Sequence, residues 1–170
     1  MKKQLFIATI IFVLSFILGF LFLKGVFLFD EPEIMEVAKP NFFAILFNNC
    51  CVCIFLILGV GIITVPLGAY QGLQLGAMLS IWLDSGSTLE GYTLLTLPHC
   101  IFEIPALLIA IALGMYSGKI LLDYYHNKKI QLKNSIIKVR KWLISIPLLL
   151  IFAALIETFI TGNLYNNIMF

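Results

Sequence analysis

The sequence predicts an all-α integral membrane protein, a five-span helical bundle with its amino terminus in the cytoplasm and its carboxyl terminus outside. Three observations predict it. The 170 residues are 61% hydrophobic and only 12% charged, with a mean hydropathy of +1.04 that no ordinary water-soluble domain reaches. The apolar residues fall into five runs, over 5–23, 42–65, 67–83, 94–118 and 142–164, and a span needs about 20 mainly apolar residues to cross about 30 Å of hydrocarbon. The basic residues alternate by side: Lys2, Lys3 and the seven bases of 119–141 share one side, leaving Lys24 and Lys39 for the other. Basic flanks mark the cytoplasm. The chain reads as a single membrane domain, with little length left for a soluble one. A net charge of +2, with no basic run interleaved with stacking aromatics, excludes nucleic acid as a partner.

The first run follows Met-Lys-Lys and is too long, and too poor in small-x-small cleavage positions, for a signal peptide, so it reads as a retained span. An acidic connection with Asp30, Glu31, Glu33 and Glu36 follows. The second run carries Asn48 and Asn49 near its start and ends at Pro66 and Gly68 in a tight, uncharged turn. The third places Gly68, Gly72, Gly76 and Ser80 at four-residue spacing, a sustained small-residue stripe of the kind that lets helices approach closely in lipid. Trp82 ends it where an interfacial anchor belongs.

The fourth run organises the rest. Pro98 is expected to open its helix, placing His99 and Glu103 four residues apart on one face, and Pro105 is expected to bend it. Ala106, Ala110, Gly114 and Gly118 form a second small-residue stripe, expected to pack against that of the third helix. Residues 119–141 form the expected basic cytoplasmic loop, with Lys128, Lys129, Lys133, Lys138, Arg140 and Lys141 as a grip on anionic headgroups or a docking surface for a cytosolic subunit. The fifth run contains Pro147, Glu157, Thr158 and Thr161.

With the amino terminus inside, Asn48, Asn49, His99, Glu103 and Glu157 all fall in the outer half of the membrane, which suggests one polar site. A charged carboxylate at bilayer depth costs several kcal/mol, so Glu103 and Glu157 must be protonated, paired with His99, or wet. Such a cluster either holds helices in register or binds and moves something, such as a peptide, a lipid headgroup or a proton. Catalysis is the weakest reading. A zinc peptidase needs a pair of histidines around its glutamate, and the other histidine, His126, lies in the basic segment. Cys50, Cys51, Cys53 and Cys100 read as buried apolar thiols without disulfide or metal-knuckle spacing. No catalytic residue, metal or cofactor is expected.

Three segments carry a family resemblance: Leu46-Phe47-Asn48-Asn49, Gln71-Gly72-Leu73-Gln74-Leu75-Gly76, and Leu97-Pro98-His99-Cys100-Ile101-Phe102-Glu103-Ile104-Pro105-Ala106. Together they resemble the stage II sporulation protein M family of small polytopic membrane proteins. Gln71 and Cys100 stand where family members commonly have asparagine and glycine. The resemblance implies a non-enzymatic membrane subunit that works with partners. One role it implies is export, maturation or immunity of a peptide such as a circular bacteriocin, beside an ATP-binding subunit. The other is a scaffold for cell-wall hydrolases in sporulation. Self-association fits either role, and an intramembrane hydrolase is the remote third.

Overall fold

The structure, a computed structural model, describes residues 1–22, 41–86, 88–127 and 132–161, and the side chains of all of these but 127, 132–134 and 136. The acidic connection up to Pro40, Lys128, Lys129 and the expected end of the fifth span at 162–164 lie outside the described residues. The described chain is helical, without strand: α1 (Lys2–Phe22), α2 (Phe42–Leu58), α3 (Thr64–Asp84), α4 (Leu89–Asn127) and α5 (Leu132–Ile156), which continues into a π-helical turn at Glu157–Thr161. Three of these helical stretches, Lys2–Phe22, Leu89–His126 and Ile137–Thr161, are long and apolar enough to cross a membrane, and α2 is a shorter apolar helix.

Side-chain neighbours fix the helix directions. Gly72 of α3 lies against Phe12 and Ser15 of α1, and Gly76 against Phe16 and Phe20, so α1 and α3 run parallel. Gly114 of α4 faces Leu56, and Gly118 faces Val60, so α4 runs parallel to α2. Gly68 meets Ile111, whereas the Tyr92 hydroxyl donates to the Leu75 carbonyl at 3.4 Å, which makes α3 and α4 antiparallel. Phe102 and Phe152 stack at 5.8 Å across α4 and α5. The first four helices therefore alternate in direction.

Two expectations about the small-residue stripes change partner. The third and fourth helices do not pack stripe against stripe. Gly72 and Gly76 receive the backbone of α1, and a Cβ at Gly76 would strike the Phe16 carbonyl. Gly114 and Gly118 receive the end of α2 and the turn beyond it. Only Gly68 is turned toward α4, against the Ile111 side chain. Ser80 is buried on the same face as the three glycines. The four-residue period fixes which face is small, but nothing in it names the neighbour.

Helix limits also differ from the apolar runs. The second run is not one helix to residue 65. Gly59 follows α2, and Val60 and Gly61 both take left-handed conformations, with φ of 51° and 82°. The turn stays apolar, so hydropathy does not register it. The Thr64 hydroxyl closes it, donating to the Leu56 carbonyl at 2.8 Å and accepting from the Gly61 amide at 3.1 Å. At the other end of α2, the Asn41 side chain accepts from the Phe43 amide, a cap that ends the preceding connection.

Pro98 does not open α4. The helix begins at Leu89, with Glu90 in the first turn where the helix dipole favours an acid, and runs unbroken through Pro98 and Pro105. Each proline withholds a hydrogen bond from the carbonyl four residues back without ending the helix, as membrane helices tolerate. Nor is 119–141 a loop throughout: residues 119–127 extend α4 and 132–141 begin α5. Charge removes a residue from lipid, but lysine and arginine remain good helix formers.

Residues 106–114 are the centre of the bundle. Ala106, Ala110, Ile111 and Ala112 have no exposed surface, and Leu107, Ile109 and Leu113 are buried beside them. A helix apolar on every side belongs in the middle of a protein. Leu56 and Cys53 from α2 and Ile146 and Leu150 from α5 complete this core.

Candidate functional site

One turn before that packed stretch, α4 changes character. Tyr92, Thr96, His99, Cys100 and Glu103 line a cavity of about 430 Å³. Asn48 and Asn49 enter from α2, Gln71 and Gln74 from α3, and Glu157 from the π-helical turn, with Phe12 of α1 and Leu107 of α4 adding apolar wall. All five polar residues singled out by depth are thus brought around one space. Glu103 precedes Gly118, which lies against the α2–α3 turn, by four helical turns, or about 22 Å along the axis. The cavity is therefore at the end of the bundle away from that turn.

Local structure explains why these groups converge. His99 and Glu103 are one helical turn apart, and Cys100 lies three residues before Glu103, within reach of the same patch. Ligand atoms of His99, Cys100 and Glu103 all lie within 4.8 Å of one another. The end of α5 widens into a π-helix at Glu157, and such local changes of helical pitch recur at functional sites. Asn48 donates to the Asn49 side-chain carbonyl at 3.4 Å.

The site is incompletely satisfied. His99 Nδ1 is buried without a well-formed hydrogen bond, although the ring lies beside the Leu95 backbone. Buried polar atoms are ordinarily paired, so an imidazole nitrogen in this condition on a cavity wall calls for a partner. No lysine or arginine lines the cavity among the described residues, although two carboxylates do. The arrangement suits a guest that brings positive charge or hydrogen-bond donors.

Sequence reasoning missed Gln71, Gln74, Tyr92, Thr96 and Cys100 as wall residues. In the sequence Gln71 and Gln74 stand out only as part of the family-like segment around Gly72 and Gly76, Gln71 as its departure from asparagine. Because those glycines seat α1, the glutamines between them are turned toward the cavity, a placement that follows once the neighbour of the stripe is known. Cys100 was read as a core thiol and is indeed buried, but on the cavity wall.

The other expected residues fall elsewhere. Lys138, Arg140 and Lys141 are exposed on the first part of α5, with Val139 buried between them. Lys133 belongs to the same helix. Trp82 acts at the α3–α4 corner, where its indole donates to the Thr88 carbonyl at 3.0 Å and its ring lies 6.2 Å from that of Tyr92.

The model of the family described as stage II sporulation protein M matches residues 8–162. The chain belongs to the stage II sporulation protein M family. That match begins within α1 and takes in the other four helices and every cavity residue. An uncharacterized protein of Methanocaldococcus jannaschii is similar over the whole family fold, with 33% identity over 180 aligned positions, 99% of this chain and 99% of its own. No solved structure matches. Family membership and the long apolar helices together make this a helical membrane protein.

Proposed function

We propose that this protein is a non-enzymatic, multispanning membrane subunit that supports export, maturation or immunity of a peptide, such as a circular bacteriocin, with the polar cavity as the place where peptide is engaged. The observation that carries the reading is the cavity itself. Its volume of about 430 Å³ falls within the range of small-ligand sites, and it draws polar side chains from α2, α3, α4 and the π-helical turn to one level of the bundle. Polar groups kept within apolar helices are costly, and they mark substrate paths in membrane proteins.

The topology we assign has five passes, the amino terminus in the cytoplasm and the carboxyl terminus outside. Alternating helix directions and the cytoplasmic preference of the basic residues support it. In that orientation the cavity opens in the outer half of the membrane. The helical continuation of α4 past Lys119 and the basic start of α5 project into the cytoplasm, where Lys138, Arg140 and Lys141 offer an exposed surface to an ATP-binding partner.

The deciding experiment compares peptide protection or export in cells carrying the native chain, Glu103→Gln or His99→Ala at matched membrane abundance. Loss of activity at normal abundance supports the proposal. Retained activity in both variants moves the reading to a scaffold that recruits cell-wall hydrolases. Topology is tested by single cysteines placed in a cysteine-free background: labelling of the 84–90 connection from the cytoplasm would falsify the assigned orientation.

A further inference from the structure

We propose that His99, Cys100 and Glu103 bind a divalent transition-metal ion of the zinc class. The proposal goes beyond the peptide-handling reading and does not depend on it. An imidazole, a thiol and a carboxylate form a borderline-soft donor set, characteristic of zinc rather than of calcium or magnesium, which prefer oxygen alone. Tetrahedral zinc with bonds of about 2.0–2.3 Å holds its ligand atoms about 3.3–3.8 Å apart. The three donors here lie within 4.8 Å of one another, so small side-chain rotations bring them onto one ion.

Two further observations favour a cation at these donors. The first is His99, whose buried Nδ1 makes no well-formed hydrogen bond, although the ring lies beside the Leu95 backbone. The second is the charge of the cavity: Glu103 and Glu157 both line it, and among the described residues it has no lysine or arginine wall. Buried charges are normally paired or coordinate a metal. A divalent ion answers both conditions at once, and Glu157 stands on the same cavity to take the fourth position or to hold a ligand there.

The chemistry was hidden in sequence because the set contains one histidine and a cysteine beside it, where zinc motifs commonly show two histidines or paired cysteines. Adjacent residues on a helix point about 100° apart. Here the two flank Glu103, at spacings of four and three, and that carboxylate joins them.

The test uses the full chain, purified in detergent, stripped with chelator and loaded with Co²⁺ or Zn²⁺ alone. Co²⁺ bound through Cys100 gives a thiolate-to-metal charge-transfer absorption, and competition with a chromophoric chelator gives the Zn²⁺ stoichiometry. We expect one equivalent bound. Cys100→Ser removes the charge-transfer band, and His99→Ala, Cys100→Ser and Glu103→Gln each weaken Zn²⁺ about 10-fold or more, since even the loss of supporting contacts costs about that much. Cys51→Ser and His126→Ala, both off the cavity wall, leave binding unchanged. A folded native chain without the band overturns the proposal whatever the variants do, as does equal affinity in Cys100→Ser. Because no peptide is present, failure here leaves the peptide reading standing, and failure of the peptide assay leaves this result untouched.

Discussion

The two halves of α4 share one backbone and little else. Residues 106–114 are surrounded by apolar side chains and small residues that admit neighbouring backbone, while the turns from Tyr92 to Glu103 carry polar groups around open space. In lipid, association is driven by close packing and by hydrogen bonds, because burial from water is no longer on offer. The lower half uses packing. The upper half leaves polar capacity unused, which stability alone does not explain. The difference fits the function proposed above: one half holds the bundle together, and the other carries polar groups of the kind for which natural proteins give up stability at sites of function.

That division is open to direct challenge. The largest effect is expected from Gly76→Leu, which forces a side chain into the α1 backbone. Overpacking of this kind costs up to about 3 kcal/mol, and thermal unfolding in detergent should show a large loss together with reduced membrane abundance. Thr64→Val should cost about 1–2 kcal/mol, because the hydroxyl satisfies both the Leu56 carbonyl and the Gly61 amide in a buried turn. Chemical denaturation in mixed micelles would measure it, and an unchanged midpoint would mean that the turn is held by packing alone.

Glu103→Gln is expected to change stability by less than about 1 kcal/mol, although it removes the activity and weakens the metal binding proposed above. A large stability loss instead would show the polar cluster to be a register device, and the contrast between the halves would collapse. A change of opposite sign is expected at Val60, whose φ of 51° is unfavourable for a branched side chain. Val60→Gly should raise stability by about 1 kcal/mol by relieving the left-handed conformation, read as a modest rise in unfolding midpoint.

Much of the helical organisation was legible because hydropathy and charge report directly on contact with lipid. The polar residues could be placed at one depth by counting, since Asn48, Asn49, His99, Glu103 and Glu157 sit near the corresponding ends of their runs. What could not be read was which helix lies beside which. Gly72 and Gly76 advertise a narrow face, and α1 fills it with the backbone of Phe12, Phe16 and Phe20 beside Ser15, on a face whose small residues Ala8, Ser15 and Gly19 are too widely spaced to stand out in the apolar run. Helix ends were hidden for a different reason. The turn at Gly59–Ile63 is as apolar as the helices it joins, and the extension of α4 past Lys119 is as helical as the span before it. Polarity and backbone conformation are independent properties, and hydropathy follows only the first.

The unbroken length of α4 has a mechanical consequence. Its 39 residues make a rod of about 58 Å, nearly twice the thickness of the hydrocarbon. Gly114 and Gly118 seat it against the α2–α3 turn, between its exposed end near His126 and the wall that bears His99 and Glu103. The exposed end and the cavity wall are thus parts of one continuous element, joined through its packed middle.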